Sequence, residues 1–387
     1  MGKQLIPELR FSKYEGKWDF KLLKSITKIK AGGTPSTVKR DYWNGEILWM
    51  NSGELNLKRI FDVENRITQK GLKNSSTHLI PKECILIGLA GQGKTRGTAA
   101  INYVELCTNQ SIASVYPNKN VFNSEFLYQN IDSRYDELRN LSTGAGGRGG
   151  LNLQIIGSFK VPVPSLPEQQ KIAAFLTDVD DKITKLTKKK NLLEQYKKGI
   201  MQKIFNQELR FKDDNGNNYP IWVEKKLGKI SNITTGSSNR QDSGLDGEYT
   251  FFDRSEDIRT SSRYLFDGDA VIVAGEGSDF IPKYYVGKFD LHQRTYAIME
   301  FKDSISKFIY FYIHFHRRYF LSQAVGSTVK SLRLPMFQKM PVKLPVKEEQ
   351  TKIANFLSDI DLKIEALNNK IENSKTFKKG LLQKMFV

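Results

Sequence analysis

The sequence predicts an α+β fold: two mixed α/β domains joined by two long antiparallel helices, related by a pseudo-two-fold internal repeat. Three observations carry it. Residues 164–205 recur without a gap at 345–386, offset by 181 positions. Within each copy the apolar residues return at the spacing of a coiled-coil seam. The stretches ahead of the two copies are also related, more weakly. The chain then divides into a first domain (1–163), a central helix (164–211), a second domain (212–344) and a C-terminal helix (345–387).

The first domain carries much of the charge. The chain has a net charge of +18, and half of that excess lies in residues 1–163. A surface of that sign attracts polyanions, nucleic acid above all. The apolar run Cys84-Ile85-Leu86-Ile87 reads as a buried strand that ends at glycines. Gly88-Leu89-Ala90-Gly91-Gln92-Gly93-Lys94-Thr95 follows it and matches the pattern of a phosphate-binding loop. Such a loop needs a helix opening at the Lys-Thr, so that its N–H groups face the phosphates. Arg96-Gly97-Thr98 and the short run Ala99 to Val104 look instead like a second strand, so a glycine-rich hairpin is expected and a nucleotide hydrolase is the alternative.

The central helix follows from its seam: Ile172, Leu176, Val179, Ile183, Leu186, and on through Leu193, Ile200 and Ile204. Ser165, with Pro167 and Glu168 behind it, reads as a capping-box start. About 40 residues at ~1.5 Å each make a rod of roughly 60 Å, which needs a partner along its length. The other copy supplies one, and an antiparallel pair of rods would act as a spacer. Phe175 and Tyr196, with Phe356 and Phe377 in the second copy, widen the apolar stripe and point to contact with another subunit or the adjoining domains. Gly199 and Gly380 interrupt both helices at the same place, which close approach of another backbone, or simple tolerance, would explain.

The second domain repeats landmarks of the first. Glu8-Leu9-Arg10-Phe11 matches Glu208-Leu209-Arg210-Phe211, Trp18 matches Trp222, Gly32 matches Gly236, and Cys84 to Ile87 corresponds to Ala270-Val271-Ile272-Val273. The second helix carries the seam Ile353, Leu357, Ile360, Ile364, Leu367 and starts at Pro345-Val346-Lys347-Glu348-Glu349-Gln350, without the Ser-Leu-Pro of the first. Joining the chain ends would recreate the junction between Phe205 and Glu208, so the sequence is pseudo-circular.

Several chemistries find no support. The histidines, His78, His292, His314 and His316, show no metal-ligand spacing with the two cysteines, and the last two lie in an aromatic run where a structural role is expected. No Asp- or Asn-Pro-Pro-aromatic motif of amino methyltransferases occurs, and Asp253, Asp257, Asp267 and Asp269 read as a solvated face. With no run of ~20 apolar residues and no signal-peptide pattern, a cytoplasmic protein that keeps away from membranes is expected.

The order of domains and helices, with Pro164-Ser165-Leu166-Pro167-Glu168-Gln169-Gln170-Lys171-Ile172-Ala173 and its repeat, resembles the specificity subunit of type I restriction-modification systems. The resemblance implies that the two α/β domains are target-recognition domains. Each would bind one half of a split, asymmetric double-stranded DNA target, with the helices fixing the gap and docking two modification (methyltransferase) subunits. It also implies no cofactor and no catalysis in this chain. S-adenosylmethionine for adenine methylation would sit on the modification subunits, and ATP and Mg on restriction subunits that translocate and cut DNA. A coiled-coil scaffold that never touches DNA is a further alternative. Gln pairs with adenine, Arg or Lys with guanine, and Lys or Thr with phosphate. The DNA contacts expected in the first domain are therefore Gln92, Lys94, Thr95, Arg96, Arg148 and Asn152, and in the second Asn239, Arg240, Gln241, Lys283, Lys330 and Arg333.

Overall fold

A computed structural model of the chain describes residues 6–91, 93–142, 150–255 and 257–386. These divide into two compact units, one of residues 1–186 with 370–387, the other of residues 187–369.

The first unit is built on a five-stranded sheet in the order Ile29–Ala31, Ile112–Val115, Ile85–Gly88, Ala99–Asn102, Arg59–Ile60, antiparallel except for the last pair. Its central strand is apolar throughout because both of its faces are covered. Ile85 and Ile87 join Leu127 and Ile131 in one cluster; Cys84 and Leu86 join Met50 and Leu55 in another. All four of these residues are fully buried, which for each of the Ile and Leu side chains contributes roughly 1.5–3 kcal/mol.

The second unit has a six-stranded sheet in the order Asn232–Thr235, Thr295–Met299, Phe266–Ala274, Lys283–Leu291, Tyr249–Phe252, Arg259–Ser261. Its first five strands follow the order of the other unit, including the parallel pairing of Tyr249–Phe252 with Lys283–Leu291. The match of Cys84–Ile87 with Ala270–Val273 extends to the faces: Val271 and Val273 point into one cluster, Ala270 and Ile272 into the other.

The long helices run from Leu166 to Phe205 and from Lys347 to Met385. Their starts are equivalent in the repeat, so the second helix begins at the same point without its Ser-Leu-Pro. Glu168 does not reach back as a capping-box residue. Its buried carboxylate instead accepts from Arg10 (Nε 2.7 Å, Nη2 2.9 Å) and from Trp18 Nε1 (3.3 Å). In the second unit Glu349 accepts from Arg210 (Nε 3.1 Å, Nη2 2.6 Å) and Trp222 Nε1 (3.1 Å). The neighbouring glutamine ties the helix start to its domain. Gln169 Oε1 accepts from Asn123 N (2.8 Å) while its Nε2 donates to Val121 O and Pro164 O; Gln350 does the same with Ile305 N, Asp303 O and Pro345 O. The Glu-Gln pair is thus a clamp between helix and domain, made once per unit.

Inside each unit the start of one helix lies antiparallel to the end of the other. In the first unit Lys378 Nζ is 2.7 Å from Asp180 Oδ1, and Leu9 N donates to Lys384 O (2.9 Å). In the second, Lys197 pairs with Asp361 at 2.5 Å, and Leu209 N donates to Lys203 O (3.0 Å). The bond from Leu9, made across a chain break, repeats the bond from Leu209, made within a continuous chain, as the pseudo-circular sequence implies. Of the seam residues, Ile172, Leu176, Ile353, Leu357, Ile360 and Leu367 are buried, and Val179, Ile183, Leu186 and Ile364 are half-buried. Ile172 and Leu176 pack with Trp18, Phe126 and Leu381, so the seam serves the domain as well as the other helix. A Cβ at Gly199 or Gly380 would meet nothing within 4 Å, so no close approach among the described residues explains either glycine.

Candidate nucleic-acid interface

In the second unit, strand Asn232–Thr235 ends at Gly236, where a Cβ would lie 1.7 Å from Leu291 O. Only glycine lets these backbones meet. The chain then turns over Asp290, whose wholly buried carboxylate accepts from Ser238 Oγ (2.6 Å), Ser261 Oγ (2.7 Å) and Leu291 N (2.8 Å). Arg263 Nη2 donates to Ser238 Oγ (2.9 Å). Ser238 is therefore a fixed post, and Asn239, Arg240 and Gln241 beyond it are held out from the domain. Gln293 Nε2 donates to Asn239 Oδ1 (2.6 Å), and Asn239 N to Asp242 Oδ2 (2.7 Å).

Beside this turn lies a cavity of about 270 Å³ lined by Arg240, Asp253, Arg254, Glu276, His292, Gln293 and Arg294. Arg294 Nη1 is 2.7 Å from Glu276 Oε1, Arg254 Nη1 is 3.6 Å from Glu276 Oε2, and Arg240 Nε is 3.9 Å from Asp253 Oδ2. Asp253 is 6% exposed, which corrects its reading as part of a solvated face. Burial opposes its charge, but hydrogen bonds from Ser255 together with the charge of Arg240 hold the carboxyl below its ordinary pKa. Burial pushes the His292 imidazole down. Three arginines against two carboxylates leave the cavity cationic, with Arg294 held by a hydrogen bond and Arg254 and Arg240 in looser ion pairs.

The segment after Gly326 also reaches this region. Glu276 and Gly277 pair with Ser331 and Lys330, and Leu332 N donates to Gly275 O (2.7 Å). Lys330 and Arg333 are exposed. Lys283 is half-buried, its ammonium donating to Ser255 O (2.7 Å), so it supports the turn that carries Asp253 and Arg254.

In the first unit the segment after Gly88 turns back into strand Ala99–Asn102, which pairs antiparallel with Ile85–Gly88. No helix opens at Lys94-Thr95, so the loop is a hairpin and lacks the geometry of a phosphate loop. Gly91, Gly93 and Gly97 take φ of +119°, +72° and +83°. Arg139 Nη1 donates to Gly93 O (2.5 Å) and Arg96 O (3.3 Å), pinning the hairpin to helix Tyr135–Asn140. Leu89 O accepts from Leu151 N (2.8 Å), which brings the segment around Asn152 alongside. Lys94 is exposed and Thr95 half-buried, whereas Arg96 is buried at 9% exposure. Asn152 accepts from Ile155 N (2.9 Å) as the N-cap of helix Leu153–Ser158. Gln92 and Arg148 lie outside the described residues.

On the helices, Tyr196 and Phe377 are 52% and 57% exposed. Phe175 and Phe356 are half-buried, each edge-on to a ring of its own unit, Phe11 at 5.8 Å and Phe211 at 5.7 Å. Among the described residues no group of acidic, His or Cys side chains is arranged to hold a metal ion, and no helix is long and apolar enough to cross a membrane.

Sequence reasoning missed Arg254, Arg263, Glu276, Asp290, His292, Gln293 and Arg294. Asp290 and His292 to Arg294 come from one strand end and the turn after it, but Arg254, Arg263 and Glu276 come from three other segments, and no spacing links them to that turn.

The model of the type I restriction modification DNA specificity domain matches residues 15–195 and 221–374, one match for each domain with most of its helix. The chain belongs to this specificity family. It is 30% identical over 277 residues to the type I restriction enzyme MjaIX specificity subunit of Methanocaldococcus jannaschii, covering 68% of this chain and 61% of that protein. It is 32% identical over 177 residues to the EcoR124I/EcoR124II specificity subunit of Escherichia coli, covering 45% and 43%. The matched part is thus less than two thirds of either relative. A crystal structure of the type I restriction-modification S subunit from M. genitalium aligns over 99% of both chains with a TM-score of 0.69 at 14% identity, a likeness of fold. The M. genitalium S subunit shares the fold described above along almost the whole length of this chain.

Proposed function

We propose that this chain is the DNA-reading subunit of a type I restriction-modification enzyme. Each unit binds one half of a bipartite, asymmetric duplex target, and the long helices set the distance between halves. The exposed aromatic faces around Tyr196 and Phe377 dock two modification subunits. Those subunits bind S-adenosylmethionine and methylate adenine, and restriction subunits using ATP and Mg²⁺ translocate and cut. The chain itself orients partners on DNA and performs no bond chemistry.

The observation that carries this reading is the convergence, in the second unit, of loops distant in sequence onto one cationic face. Arginine and lysine there can serve both phosphates and base edges, and asparagine and glutamine supply the paired donors and acceptors that read adenine. The first unit offers a smaller equivalent in the Lys94 hairpin.

The test is selection of duplexes from a random library by the chain assembled with its modification subunits. Enrichment of one two-part motif with a fixed gap is expected. Enrichment of a single continuous motif, or of none, contradicts the proposal.

A further inference from the structure

Resting on that reading, we infer a division of labour in the second unit. Arg294, hydrogen-bonded to Glu276, reads a guanine base edge with Arg254 alongside it, while the untied Lys330 on the adjoining strand holds a phosphate.

The argument begins with Glu276. Its side chain is 17% exposed, and its two oxygens face different guanidinium groups, Arg294 at 2.7 Å and Arg254 at 3.6 Å. Its own position is set on both sides, by pairing with Ser331 and by Gly275 N donating to Arg294 O at 2.8 Å. A guanidinium carries five N–H donors in a rigid fork, and one carboxylate shared by two forks leaves most of them for a ligand.

Charge then decides the ligand. A phosphate entering this cavity would meet Glu276 and Asp253 as well as the arginines, and the carboxylates cancel much of the attraction. A guanine edge offers the uncharged acceptors O6 and N7, which need oriented donors and lose much less than a phosphate to a nearby carboxylate. The hydrogen bond to Glu276 also limits the rotamers open to Arg294, so its remaining donors need less ordering when DNA arrives. Lys330 is the opposite case: exposed, on the adjoining strand, and with no carboxylate in ion-pair distance among the described residues. Its ammonium is a point charge suited to a phosphate.

The experiment uses the chain assembled with its modification subunits. It measures binding to the selected duplex, to single-base variants of the half-site read by the second unit, and across a salt series. Arg294→Ala should erase discrimination at one G·C position by roughly 5- to 150-fold. It should move the slope of log K against log salt by much less than one. Arg294→Lys, which keeps the charge and loses the fork, should do the same. Glu276→Gln should weaken discrimination at that same position while steepening the salt slope, since the arginines then meet DNA uncompensated. Lys330→Ala should weaken all duplexes alike and lower the slope by about 0.9.

If Arg294→Ala instead lowers the slope by about 0.9 and leaves the base ratios unchanged, the cavity holds a phosphate and the inference is wrong. If Arg294→Ala and Glu276→Gln change neither quantity in a complex that still selects its motif, the cavity faces away from DNA and the inference fails alone. A complex with no selectivity before any substitution overturns the proposed function together with it.

Discussion

Replacing Glu168 with alanine tests whether the repeated Glu-Gln pair is the clamp that joins helix to domain. The carboxylate is 2% exposed and its partner Arg10 12%, so the substitution strands a cation that water barely reaches. Breaking a buried pair from one side costs about 3–5 kcal/mol. Arg10 keeps the carbonyls of Gly16 and Glu15, which places the loss at the lower end, and Trp18 Nε1 loses an acceptor worth about 1 kcal/mol. The sum is about 3–4 kcal/mol. With a urea dependence of about 2 kcal/mol/M, the midpoint should fall by about 1.5–2 M. Tryptophan fluorescence reads this directly, because Trp18 sits on the clamp. Hydrogen exchange should show the loss in the first unit while strand Lys283–Leu291 of the second keeps its protection. Glu349→Ala should cost less, since Arg210 is 23% exposed. A shift of less than about 0.5 kcal/mol for Glu168→Ala would refute the clamp. So would equal loss of protection in both units.

Three other expectations follow from the geometry. Burial holds the folded His316 imidazole at about 4, against ~6.5 unfolded, so the unfolded chain takes up a proton that the folded chain refuses. The stability this contributes is complete above pH 6.5 and is lost as pH falls towards 4, by an amount on the order of 3 kcal/mol. Denaturation midpoints of wild type and His316→Gln against pH should converge at the acid end of that window, and parallel curves would contradict the assignment. Gly236→Ala should displace the Ser238–Asp242 turn and cost about 1–3 kcal/mol, because its Cβ would fall 1.7 Å from Leu291 O. In selection experiments the half-site read by the second unit should degrade and the other remain; retention of both would show that the turn is not a reader. Deleting residues 183–189 and 364–370 together removes one heptad from each helix, about 10 Å of rod. The gap in the selected motif should shorten by about 3 base pairs at ~3.4 Å each, with both half-sites kept, and an altered half-site would contradict the spacer role.

How far the sequence reached depended on the kind of signal. The long helices were legible because an ungapped repeat with a regular seam fixes their register, and both start at equivalent residues, 166 and 347. The match of Cys84–Ile87 with Ala270–Val273 found the central strand of each sheet, since a strand covered on both faces is continuously apolar. Side-chain roles were legible only in part. Asn152 is a polar residue three positions before a helical Ile155 and could have been read as a cap. Arg96 was placed outside by its type and inside by the fold. Asp253 looked solvated because its burial comes from the tertiary fold, although Ser255, which bonds it, stands only two positions on. His292 and Arg294 share one turn, but they became a site only when the fold brought Glu276 and the Asp253–Arg254 turn beside it, which no spacing within one segment can encode.

The central claim, that this chain chooses the DNA sequence on which its partners act, is tested most directly by long-read methylome sequencing of cells with and without the chain, in the presence of its modification subunits. The account predicts methyl-adenine at one split, asymmetric motif that appears only when the chain is present. A complex that assembles while no methylated motif depends on the chain would contradict it.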